Sequence, residues 1–136
     1  MFEQDYLMRT IMQLVDAITR SMQKATGEQD PVSSAKALDD AISTATELDG
    51  SVLLSLAPES IASILSVSGT DPSVVEYVSR SMLLSSQYWQ QAGDGELASL
   101  RAAQAQALAA AYGFSIQTHA SPEESMQAFL DEQKRS

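Results

Sequence analysis

Two tyrosine–arginine pairs have residue types and spacing suited to recognition chemistry: Tyr6 with Arg9, and Tyr77 with Arg80. On a helix, three positions of separation put the phenol and the guanidinium on one face. A guanidinium fork beside a phenol suits a peptide carboxylate or another anion, so the two pairs are candidates for lining one groove. The plainer reading of the first pair is local. Asp5 and Arg9 stand four apart, the spacing of a surface ion pair worth roughly a few tenths of a kcal/mol.

Tyr88-Trp89 is a second candidate. Successive helical residues point about 100° apart, so one ring is expected in the core and the other at its border, where an exposed aromatic would anchor a partner. Met8 and Met12 form a third. They lie one turn apart and off the centre of the stripe Leu7, Ile11, Leu14 and Ile18, which gives the first helix a wide apolar arc. Such a helix is either central to its bundle or touches a partner or a second copy. The other methionines, Met1, Met22, Met82 and Met126, suit gaps in a helical core.

Catalytic and metal chemistry find little support. His119 is the only histidine and the chain has no cysteine, so a thiol nucleophile and a Cys/His metal site are both excluded, and His119 is expected in solvent. The adjacent acids Asp39-Asp40, Glu123-Glu124 and Asp131-Glu132 diverge around a helix and do not converge on one proton or ion. Asp94-Gly95-Glu96 has too few ligands for a calcium loop; a helix amino terminus explains its charges better. No Gly-x-Ser-x-Gly elbow, Ser-x-x-Lys pair or glycine-rich phosphate loop occurs. A non-enzymatic protein without metal or cofactor is the expectation.

The elements that would position these residues are marked by the four prolines and the glycines. Asp30-Pro31, Ala57-Pro58, Asp71-Pro72 and Ser121-Pro122 each put the ring at a first helical position, with a capping residue ahead of it in all but the second. Ser121 and Glu124 complete a capping box. Gly27, Gly50, Gly69, Gly93 and Gly113 follow helix-period segments, as left-handed C′ residues do. Between these marks the apolar period is helical: Phe2 to about Ala25, Pro31–Leu48, a short apolar Pro58–Val67, Pro72–Ala92, Asp94–Tyr112 and Pro122–Lys134. A short extended piece has room only between Gly113 and His119. Brief loops make neighbouring helices antiparallel. The fold class is therefore all-α, about six helices in one domain over residues 1–136, with two long hairpins and the short helix buried between them.

At 136 residues with 44% hydrophobic content, the chain can bury a core without staples. Its 18 acids against 8 scattered Lys and Arg give a charge of −10, which disfavours nucleic acid and anionic membrane as partners. Acids occupy the amino end where a signal peptide needs cations, and no apolar run is long enough to span a bilayer, so a cytoplasmic protein is expected.

Leu84 through Tyr88, Gly93, Asp94 and Ala107-Leu108 resemble a tetratricopeptide helix pair, although the spacing after Tyr88 is about one residue off that pattern and its usual terminal proline after Leu108 is missing. The opening Phe2-Glu3-Gln4-Asp5-Tyr6-Leu7-Met8-Arg9, through Gln13-Leu14, together with the helix layout, resembles a family of small bacterial all-helical proteins with tetratricopeptide-like hairpins. That family has no established activity, so the resemblance implies a fold and a bacterial cytosolic origin but no mechanism. The expected function is a helical interaction module for a protein or peptide, a second copy of the chain included. The alternative is a small-ligand or enzymatic bundle with its site among Tyr6, Arg9 and Arg80.

Overall fold

The computed structural model describes residues 2–116 and 120–135, and every regular element among them is helical. In chain order these are α1 (Phe2–Gln23), a π-helical turn (Lys24–Glu28), α2 (Pro31–Thr46), the single turn α3 (Gly50–Leu53), α4 (Pro58–Val67), α5 (Pro72–Gln91), α6 (Gly95–Tyr112) and α7 (Pro122–Arg135). Local chemistry starts them as expected. The Asp30, Asp71 and Asp94 carboxylates accept from the amides of Ser33 (3.1 Å), Ser73 (2.8 Å) and Leu97 (3.1 Å). Ser121 and Glu124 exchange both capping-box bonds. The amide of Glu123, in the first turn of α7, donates to the Gln87 side chain of α5, so a neighbouring helix supplies a further cap.

The ends of the helices divide the glycines. Gly69, Gly93 and Gly113 take positive φ, and the amide after each reaches back five residues, to Leu65, Trp89 and Ala109 respectively. Gly27 and Gly50 do not end helices in this way. The wide π turn carries the chain past Gly27, so Gln29 makes the left-handed reversal, and Glu47 makes it after α2. Gly50 opens α3 hard against α2, where a Cβ would collide with the Ser43 side chain. Its requirement is close approach.

α5 is the axis of the molecule. It packs against α1, α2, α6 and α7, and its buried residues run round most of its circumference: Val74, Val75, Tyr77, Val78, Met82, Leu84, Tyr88 and Trp89 among them. A helix covered round most of its circumference buries polar groups as well; Ser81 Oγ is left without a partner, while other serines bond across. Ser79 and Ser86 donate across to the backbone carbonyls of Ala105 and Ala98, both at 2.8 Å, fixing the antiparallel register of α5 on α6. Alanines on α6 allow the helices to come that close. Both expected hairpins, α1–α2 and α5–α6, are present, and the broad contact of α2 on α5 joins them.

The short helix is not buried between them. α4 lies mainly on α6 with Ile61 and Leu65 buried; its other side is a free face, on which Ile64 is exposed and Val67 is 87% exposed. Nor is α1 central: it sits at the edge, with Leu14 and Ile18 in the core and Met8 and Met12 outside it. From Gly113 the chain shows no strand as far as Ile116, and the expectation for His119 falls outside the described residues.

Candidate interaction surface

The two tyrosine–arginine pairs lie in different environments. Tyr77 is buried, with its ring edge-on to Phe129 of α7 at 5.0 Å. Burial, with help from the neighbouring Glu76 charge, raises its pKa. Arg80 is turned to the protein itself: Nε and Nη2 donate to Glu76, Nη2 also to the Ser115 carbonyl, and the guanidinium stands 4.2 Å above the Phe129 ring and 5.9 Å above Phe114. It clamps α7 and the segment after α6 onto α5. Tyr6, by contrast, is 50% exposed and lines a cleft of about 750 Å³ with Leu7, Glu47, Thr70 and Val74. The Glu47 carboxylate beside it is the main reason its phenol pKa is raised. Arg9 is exposed, and the pair Asp5–Arg9 does not close; among the described residues the ion pairs within 4 Å are Glu76–Arg80 and Asp39–Arg101. Identical local spacing thus serves opposite purposes, because α5 is surrounded and α1 is not.

Tyr88 and Trp89 correct the expectation that one ring would border the core: both are buried. The Tyr88 hydroxyl donates to Glu123 at 2.9 Å, and burial first, then that carboxylate, holds its pKa far above the ordinary tyrosine value. Trp89 Nε1 donates to Asp39 at 3.3 Å. Neither ring is available to a partner.

Trp89 leads into the polar cluster that sequence reasoning missed. Asp39 of α2 accepts four bonds: from Arg101 Nε (3.2 Å) and Nη2 (3.1 Å), from Ser85 Oγ (2.8 Å), and from Trp89. Arg101, only 5% exposed, spends Nη1 on the Leu54 carbonyl and on Gln104 Oε1. Gln104 Nε2 in turn donates to the carbonyls of Leu54 and Leu56. Every group in this cluster has a partner, so its chemistry is structural: it ties α2, α5, α6 and the chain after α3 together. A cleft of about 600 Å³ opens beside it, but the guanidinium nitrogens at its floor are all spent on the protein. Two signals marked the cluster in advance, since Ser85 and Gln104 occupy positions in otherwise apolar helical stripes.

The outer side of α1, like the free face of α4, stands uncovered. Of the large hydrophobics exposed among the described residues, Tyr6, Met8 (52%) and Met12 (64%) belong to α1, and Val32, Val52, Ile64 and Val67 are spread over α2, α3 and α4. The apolar arc continues through half-buried Val15 and Met22 into a cleft of about 700 Å³ between α1 and the start of α7, walled by Thr19, Met22 and Gln23 on one side and Glu123, Glu124 and Gln127 on the other. Thioether side chains can adapt to a partner's shape.

Among the described residues no cluster of three or more metal-ligating side chains occurs, and no helix is long and apolar enough to cross a membrane. No protein-family model, no curated protein sequence and no solved structure matches the chain.

Proposed function

We propose that the chain is a non-enzymatic helical interaction module, working in the cytoplasm, that uses the outer face of α1 to hold another polypeptide. The observation carrying this reading is the concentration of exposed methionine side chains on one edge helix, Met8 and Met12, while the other candidate anchors serve the core. Adaptable apolar side chains on an uncovered helix are what a helix-binding or helix-donating surface requires. The closed polar cluster supports the absence of catalysis, since its groups are saturated by one another. On this reading the hairpins are a rigid, tetratricopeptide-like frame whose task is to present α1. The test is site-specific photo-crosslinking in cells, with the reactive residue at position 12 of α1 or at the exposed position 103 of α6. Adducts from position 12 that vanish when Met8 is changed to Glu support the reading. Their absence, or equal yields from both positions, overturns it.

A further inference from the structure

We infer that the polypeptide held by α1 is the α1 helix of a second copy, packed antiparallel about a two-fold axis. The inference rests on the interaction reading above and specifies its partner.

The exposed arc has the spacing of a helix-pairing seam. Met8, Met12, Val15, Thr19 and Met22 follow one another at steps of four, three, four and three, the 3.5-residue period that keeps one stripe against a partner helix. One edge of the stripe, Ile11 and Ile18, turns into the molecule's own core. The other edge carries two charges seven residues apart, Arg9 and Asp16, both exposed. Neither side chain makes a hydrogen bond or an ion pair with another described residue; only the backbone carbonyl of Asp16 is used, by Arg20.

A two-fold axis across the helix reverses the order of these charges in the partner. Arg9 then meets Asp16 of the other copy and Asp16 meets its Arg9, so one self-complementary arrangement pairs all four charges. The same axis stacks Met12 on Val15 of the partner and Met8 on its Thr19, twice each. An unrelated partner would have to supply this charge pattern; a second copy has it by symmetry. One helix face is a small interface, below roughly 1,200 Å² in total, so the dimer is reversible, with a dissociation constant on the order of micromolar.

Sedimentation velocity on the whole chain across a concentration series tests this. The wild type is expected to shift from one chain mass toward two as concentration rises, and Met12→Glu to stay at one. Arg9→Asp and Asp16→Arg each put like charges together at two places and weaken the dimer about tenfold; the double reversal restores it to within about twofold of wild type. Circular dichroism checks that each variant is folded, and the charge reversals lie on the surface. A wild type that remains monomeric up to about millimolar concentration overturns the inference, as does a double reversal no tighter than either single one. If the monomer still gives α1-dependent crosslinks to other proteins in cells, self-pairing fails while the interaction reading stands; if it gives none, both fail.

Discussion

Asp39→Ala is expected to be among the most damaging single substitutions in the chain, and its cost can be worked from the polar cluster. The side chain accepts four hydrogen bonds, two of them from a guanidinium that is 5% exposed. Removing it strands that charge in the interior with only the Leu54 carbonyl and Gln104, and leaves Ser85 and Trp89 Nε1 without their acceptor. Breaking a buried ion pair from one side costs about 3–5 kcal/mol. A chain of 136 residues has an unfolding entropy near 0.29 kcal/mol/K at about 60 °C, so the midpoint should fall by about 10–17 °C. Thermal and urea unfolding followed by circular dichroism give both numbers. The double variant Asp39→Leu with Arg101→Leu removes both charges and is expected to be more stable than Asp39→Ala alone, because no charge is left uncompensated. A fall of less than about 3 °C for Asp39→Ala, or strictly additive single and double effects, would refute the claim that this pair holds α2 to α6.

Three further outcomes follow from the same physical terms. Gly50→Ala should destabilise by about 1–3 kcal/mol in urea unfolding, since its Cβ meets Ser43, and adding Ser43→Gly should recover most of the loss. Stability should decline above about pH 10: the folded-state pKa values of Tyr88 and Tyr77 are raised, so the unfolded chain releases those protons first. Each contributes a slope of up to about 1.4 kcal/mol per pH unit, fully absent below that range, and Tyr88→Phe should flatten the decline measured by urea midpoints between pH 9 and 11. Ser121→Ala removes the hydroxyl that caps α7 and should cost about 1 kcal/mol; hydrogen exchange should locate the effect in the first turn of α7.

Much of the architecture could be read from punctuation because caps and C′ glycines are local: Asp30, Asp71, Ser121 and Gly113 each act within five residues of themselves. What resisted reading is long-range. Arg101 finds Asp39 at a separation of 62 positions, and no spacing rule connects them; only the polar residues Ser85 and Gln104 inside apolar stripes hinted at a buried partner. Tyr77 and Arg80 looked like Tyr6 and Arg9 because periodicity reports which face a residue occupies, not how many neighbours cover its helix. Burial around α5 made the first pair structural, while the edge position of α1 left the second in solvent. The short helix α4 follows the same rule: its apolar composition suits burial, but its place at the surface leaves Ile64 and Val67 exposed.

The methionines report directly on whether a second copy covers the outer arc of α1, as proposed. In methyl spectra of protein carrying ¹³C-labelled methionine, recorded across a dilution series, the Met8 and Met12 signals should move with concentration, while those of the buried Met82 and Met126 stay fixed. Met8 and Met12 signals that do not move from micromolar to about millimolar protein would contradict it.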